Sequence, residues 1–300
     1  MDNKKLKSEN TKLVIAISSR ALFNLDQSHK IFKEKGIEAY AKHQQENEHV
    51  ILEPGVGFTL VKKLLKLNSK KTPIDVILLS RNSADTGLRI FNSIEHYDLN
   101  ISRAAFTRGE STHPFVGAFE ADLFLSSNCN DVQKALQSGY AAASIVESKS
   151  NNSHPSQLRI AFDGDAVIFS DESERIFQEK GLEAFHENEI LSEKIELKAG
   201  PFKSFLVSLQ KIQSTFPEED NPIRTALVTA RSAPSHRRVI HTMRKWGIRI
   251  DESFFLGGLE KGVFLRQFAA DIFFDDQQQH CESASQYVPT GHVPSGIKNS

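Results

Sequence analysis

The chain has 300 residues, 39% of them apolar and 25% charged, with a formal net charge of −1 and a sequence pI of about 6.8. That length holds one large domain or two ordinary ones, and the near-neutral charge removes the electrostatic case for a nucleic-acid or membrane-surface partner. Two cysteines, Cys129 and Cys281, imply no disulfide framework and suit a reducing cytoplasm.

A polar opening leads into a five-residue apolar run, residues 13–17 (LVIAI), too short for a signal peptide or a membrane span and better read as a first strand. A helix is predicted from about Asp26 and a second after Gly55. A strand (IDVILLS), a third helix, a short strand (NISRAAF) and a further strand (ADLFLSS) follow. The stretch 147–157 (ESKSNNSHPSQ) is polar, contains a proline and reads as a linker. The same order of elements then returns: LRIAF, a helix from about Asp171, a helix after Gly200, IRTALVT, a helix, RIDESFF and ADIFFDD. The tail from Val288 onward is expected to be loose at its end.

Shifted by 145, the segment 13–40 falls on 158–185 with 13 of 28 positions identical. At an offset of 149, residues 74–128 align without gaps on 223–277, and the apolar positions match. A register held that long indicates a duplicated domain, not a short-period repeat. Short apolar runs alternating with helical periodicity predict parallel sheets covered on both faces. The fold class is therefore α/β: two tandem doubly wound, Rossmann-like units, residues 1–150 and 151–300.

Ligands of such sheets bind outside the carboxyl ends of the strands. In the second unit those ends carry Asp163-Gly164-Asp165, Thr229-Ala230-Arg231 and Asp275-Asp276, with Lys261 just before the last strand. Four acids on one rim would repel one another and raise their pKa values. A divalent cation resolves that conflict, and Mg2+ favours a few carboxylate oxygens plus a phosphate oxygen. We therefore expect Asp163, Asp165, Asp275 and Asp276 to form a metal site. Asp163, last on its strand, is placed to attack phosphorus, and Asp165 to act as acid and base. Gly164 lets backbone approach the phosphoryl group, Thr229 binds its oxygens, and Lys261 offsets charge. Arg231 is expected to bind substrate or to pair with an acid such as Asp276. Asp171 and Glu172 fit the start of a helix, and the eleven histidines show no metal-ligand spacing.

This set, Asp163-x-Asp165-x-Val167, Thr229, Lys261 and Asp275-Asp276 on the appropriate elements, resembles the haloacid-dehalogenase-like phosphatase superfamily. There the first Asp is the nucleophile, the second the acid/base, and Mg2+ the cofactor. "FDGDAVIFSDESERI", "LVTARSA", "IFFDDQ" and, in the first half, "SSRALF", "FNSIEHYDL" and "AAASI" are similar to the cytosolic type I 5'-nucleotidases. The resemblance implies a cytoplasmic enzyme that hydrolyses nucleoside 5'-monophosphates through an aspartyl-phosphate. Adenylate and deoxypyrimidine monophosphates are the substrates it suggests. A phosphatase for another small phosphate ester, or a nucleotide-binding regulator with negligible turnover, are the alternatives; monomer and homo-oligomer are equally open.

At the aligned positions the first unit has Ser18 for Asp163, Arg20 for Asp165, Ser80 for Thr229, Thr112 for Lys261, and Ser126-Ser127 for Asp275-Asp276. With no carboxylate left it is expected to be catalytically dead. Its hydroxyls and cations suit an anion, so Ser18 and Arg20 are candidates to bind either the nucleoside part of the substrate or a regulatory nucleotide. A decayed duplicate kept for the face it buries is the alternative. No lid fits between Thr229 and Lys261, which leaves a helical flap between Asp165 and Gly200, with residues 182–197 as candidates.

Overall fold

The computed structural model describes residues 12–69, 72–148 and 154–299. The boundary proposed at residue 150 and the middle of the expected linker, like the polar opening of the chain, lie outside the described residues.

In the first half the strands are β1 (Leu13–Ser18), β2 (Ile74–Ser80), β3 (Arg103–Phe106), β4 (Leu123–Ser126) and β5 (Ala142–Val146). In the second they are β6 (Leu158–Phe162), β7 (Ile223–Thr229), β8 (Glu252–Phe255), β9 (Ile272–Asp275) and β10 (Thr290–His292). Between the first set lie α1 (Ser19–Leu22), α2 (Asp26–Glu46), α3 (Phe58–Leu67), α4 (Leu88–His96), α5 (His113–Ala118) and α6 (Cys129–Gln137). The second set is separated by α7 (Glu172–Leu191), α8 (Lys203–Gln213), α9 (His236–Trp246), α10 (Gly262–Phe268) and α11 (Gln278–Ala284).

All ten strands form one sheet in the order β3-β2-β1-β4-β5-β10-β9-β6-β7-β8. Read outward from the middle, each half has the same order, as a duplication requires. The halves, read from the sequence as two tandem units, are thus joined edge to edge through hydrogen bonds. Strands within a half run parallel, but β10 pairs antiparallel with β5, at Gly291 opposite Ile145. The direction of every strand therefore reverses at that junction. The carboxyl ends of β1–β5 leave one edge of the sheet and those of β6–β10 leave the opposite edge.

The joining strand lies in the tail expected to be loose. Its three residues are too few to show a periodicity. Gly291 permits it: a Cβ there would lie 2.7 Å from the Phe274 ring and 3.1 Å from the Ala143 methyl. The chain beyond is tied down as well, since the Ile297 N–H donates to Asp171 Oδ2 at 2.8 Å.

Alternation along β1 sends Leu13, Ile15 and Ile17 to one face and Val14 and Ala16 to the other. The first face belongs to an apolar cluster that continues across the junction to Leu158, Ile160 and Phe162. On the second face each half has its own cluster, around Phe124 and around Phe273. Burial on both faces explains the near-continuous apolar strands.

Helices α2 and α7 are hairpins. Each breaks at a glycine in a conformation open only to glycine, Gly36 (φ 81°, ψ −174°) and Gly181 (φ 82°, ψ −177°). Ser173 Oγ donates to Glu189 Oε1 at 2.8 Å, sixteen residues on, where a straight helix would separate them by about 24 Å. The rings of Phe177 and Phe185 are 6.3 Å apart, and those of Phe32 and Tyr40 are 6.0 Å apart. The Gly181 Cβ position is open space. Gly181→Ala is therefore expected to cost about 1–3 kcal/mol from backbone strain alone, measurable as a lower urea midpoint with an unchanged slope.

Candidate active site

The site is built where β6 and β9 end side by side. The Asp163 N–H donates to the Phe274 carbonyl at 2.8 Å, extending the ladder one residue past β6 and fixing Asp163 against β9. The chain then makes a wide turn through residues 164–168, with Ala166 left-handed (φ 59°). Across the gap, Asp275 closes β9, and its Oδ1 accepts the Gln277 N–H at 2.8 Å at the start of α11. Lys261 precedes α10 and reaches back. Its Nζ lies 2.9 Å from Asp163 Oδ1 and 2.6 Å from Asp275 Oδ2.

Carboxylate oxygens of Asp163, Asp275 and Asp276 all lie within 4.8 Å of one another, and all three residues are buried. Among the described residues no other group of three acidic, histidine or cysteine side chains comes so close. One lysine cannot balance three buried carboxylates. Burial raises Asp163 to about 6, against the pull of Lys261. Asp275 is also pushed up by burial, but Lys261 and His280, whose Nδ1 is 3.3 Å from its Oδ1, outweigh that and hold it at about 2. On Asp276 burial, and then the charges of Asp163 and Asp275, outweigh the pull of Lys261 and push it to about 9. Lys261 stays firmly charged, because the two aspartates outweigh the effect of its burial. The uncompensated charge and the hard oxygen donors fit a divalent cation such as Mg2+.

Thr229 ends β7 above Gly164. A Cβ on Gly164 would sit 3.2 Å from Thr229 Oγ1, so the glycine lets the hydroxyl and the turn meet. The hydroxyl also accepts the Arg231 N–H at 3.3 Å, the local bond expected of a threonine at a strand end.

Asp165 does not join the acid cluster, contrary to its expected place among the metal ligands. Both its oxygens are held by the Arg231 fork, Nε at 2.8 Å and Nη2 at 2.7 Å. Arg231 accordingly does not pair with Asp276. Its remaining nitrogen, Nη1, donates to Glu189 Oε2 at 2.6 Å, and its guanidinium lies over the Phe185 ring at 5.5 Å. Glu189 is fully buried and also accepts from Arg238 Nη1 at 2.9 Å. Sequence reasoning missed Glu189 and Arg238. The one signal was pairing under the repeat: Arg238 aligns with Arg89, and Glu189 with Gln44. A helical hairpin, α7 at Glu172–Leu191, occupies the interval between Asp165 and Gly200 where a flap is expected at 182–197. Between Thr229 and Lys261 there is only α9 and β8, as expected.

The first-unit residues are not brought to this site. β1 and β6 are five strand steps apart, roughly 24 Å at ~4.8 Å per step, and their carboxyl ends leave opposite edges. Within one chain Ser18 and Arg20 therefore do not reach a substrate held at Asp163, contrary to their expected role in binding its nucleoside part. Their own rim holds hydroxyls: Ser19 Oγ is 3.0 Å from Ser80 Oγ, and the Ser127 N–H donates to Ser18 Oγ at 3.3 Å. Thr112, in place of Lys261, donates to Asp131 Oδ2 at 3.2 Å.

A family model described as 5'-nucleotidase matches residues 5–300. The chain belongs to the 5'-nucleotidase family. It is 40% identical over 288 residues to human cytosolic 5'-nucleotidase 1B, an alignment that covers 91% of this chain and 47% of that protein. The chain thus spans about half the length of the curated relative it matches. No solved structure was found to match it. Within this 5'-nucleotidase-family chain the three-acid cluster lies in the second half, and no described helix is long and apolar enough to cross a membrane.

Proposed function

We propose that the chain hydrolyses nucleoside 5'-monophosphates to nucleoside and phosphate, with Mg2+ as cofactor and Asp163 as nucleophile, and that the second half alone carries the reaction. One observation supports this above others: in a 5'-nucleotidase-family chain, the only described three-acid cluster is closed by Lys261 at the end of the central strands. The relative named cytosolic supports a cytoplasmic setting.

Asp163, Asp275 and Asp276 would hold the ion, which supplies charge neutralisation for the acids and the phosphoryl oxygens. Asp163 attacks phosphorus, and the bond to the 5'-oxygen breaks. Asp165 gives that oxygen a proton and then takes one from the water that releases phosphate. For that exchange one Asp165–Arg231 hydrogen bond must open, so Arg231 positions the acid until substrate arrives. Thr229 Oγ1 and the backbone at Gly164 bind phosphoryl oxygens, and Lys261 stabilises the charge that builds on them. Phosphate release from a panel of nucleotides and sugar phosphates, with Mg2+ and with EDTA, tests the reading. Release from nucleoside 5'-monophosphates only when Mg2+ is present is the expected result. No release from any compound leaves a binding protein, and preference for another ester replaces the substrate.

The electrostatics give a further expectation. In the metal-free protein Asp276 keeps a proton up to about pH 9, whereas unfolded it would lose it near 4. Between those values the folded state binds more protons, so its contribution to stability falls as pH rises. A cation at the cluster displaces that proton and removes the penalty. The rise in melting temperature on adding Mg2+ should therefore be larger at pH 8 than at pH 6, and loading at pH 7 should release protons, measurable in buffers of different ionisation enthalpy.

A further inference from the structure

We propose that the rim of the first half is a second ligand site, which holds a nucleoside phosphate without hydrolysing it. A cavity of about 880 Å3 opens there, bounded by the carboxyl ends of β1, β2 and β4 and by the α2 hairpin. That volume is in the range of small-molecule and cofactor sites. It lies on the opposite edge of the sheet from Asp163, so it is no extension of the site above.

The lining has two chemical ends. At the strand ends, Ser18, Ser126 and Ser127 stand where the second half has carboxylates, so an anion meets hydroxyls and not repulsion. Arg20 and Arg108 line the same space. Arg20 gives one bond, at 3.1 Å, to the exposed Asp26, and Arg108 forms no ion pair among the described residues. The one buried acid in the lining, Asp131, is already matched by Arg81 through bonds of 2.9 and 2.7 Å, with Thr112 and Ser111 donating as well. At the hairpin end the lining is aromatic: Phe32, 45% exposed, packs edge-on to Tyr40 and against His29. Between the ends, Asn82 Oδ1 accepts the Tyr40 hydroxyl at 2.7 Å, while its buried Nδ2 has no partner. A donor left so is unfavourable until an acceptor arrives. A phosphate at the hydroxyl end, a hydroxylated sugar near Asn82 and a base against Phe32 satisfy all three. Positions 18, 126 and 127, which align with the proposed nucleophile and metal ligands of the second half, carry no carboxylate, so the bound phosphate persists.

The test is calorimetric titration of the full chain with adenosine 5'-monophosphate in EDTA, where the second-half acids remain uncompensated. Inorganic phosphate and adenosine serve as the two half-ligands. One saturable site per chain is expected, tighter for the nucleotide than for either half. Arg108→Ala should weaken it about tenfold, and Ser127→Asp, which restores an acid, at least tenfold, with melting temperatures within a few degrees of wild type. Asp163→Asn should leave it unchanged. Absence of saturable binding, binding indifferent to both first-half variants, or binding lost with Asp163→Asn overturns the proposal. Turnover is not read here, so failure leaves the hydrolytic reading intact, and an inactive second half leaves this test standing.

Discussion

Asp163→Asn is expected to reduce phosphate release on the order of 10^4-fold or more at saturating substrate and Mg2+. The substitution keeps the shape of the side chain and an oxygen for the Lys261 ammonium, now 2.9 Å away. It removes the oxygen proposed as nucleophile and one of the three charges proposed to hold the ion. The fold should not suffer, because Asp163 is a buried acid that burial itself pushes up to about 6, and its loss eases the repulsion on Asp276. A folded, inactive variant is therefore the expected pair of results. Activity within tenfold of wild type would show that the attacking group lies elsewhere.

Glu189→Ala should destabilise the chain by about 3–5 kcal/mol in urea unfolding, as removal of one member of a buried ion network does. Its carboxylate lies between two guanidinium groups, Arg231 Nη1 at 2.6 Å and Arg238 Nη1 at 2.9 Å, with no solvent access. Without it the two buried cations lose the carboxylate between them, and Arg231 is left with Asp165 and Arg238 with Glu172. The first half shows how the network simplifies when the acid is dispensable. There Arg89 Nη1 bonds the neutral Gln44 Oε1 at 3.1 Å, and Asn82 stands where Arg231 would be. One cation accepts an amide partner; two require a carboxylate. Glu189→Gln should accordingly cost less than Glu189→Ala, and a loss below 1 kcal/mol for the alanine variant would contradict this account.

The strands that frame the proposed site were legible because they are apolar on both faces and end in Asp163, Thr229 and Asp275-Asp276. The duplication placed Lys261 and the first-half serines at equivalent positions. What the sequence hid was how the halves meet. Ala142–Val146 and Thr290–His292 carry the junction, but a three-residue strand has no pattern of its own, and nothing local tells whether it pairs parallel or antiparallel. That one pairing decides that the two rims face opposite edges. The pairing of Asp165 with Arg231, in place of the acid cluster, was hidden for a related reason. Spacing put Asp165 on the rim, yet its partner is chosen by Arg231, itself anchored by Glu189 from a hairpin whose reversal depends on Gly181. Contacts between residues far apart in the chain leave no periodic trace.

Crystals of the chain soaked in Mn2+, an oxygen-seeking stand-in for Mg2+, and measured at the manganese absorption edge test the central claim most directly. The account predicts one anomalous peak per chain, bounded by the carboxylates of Asp163, Asp275 and Asp276, and none among Ser18, Ser126 and Ser127. A peak on the serine rim, or a well-ordered acidic cluster that stays empty at millimolar Mn2+, would contradict it.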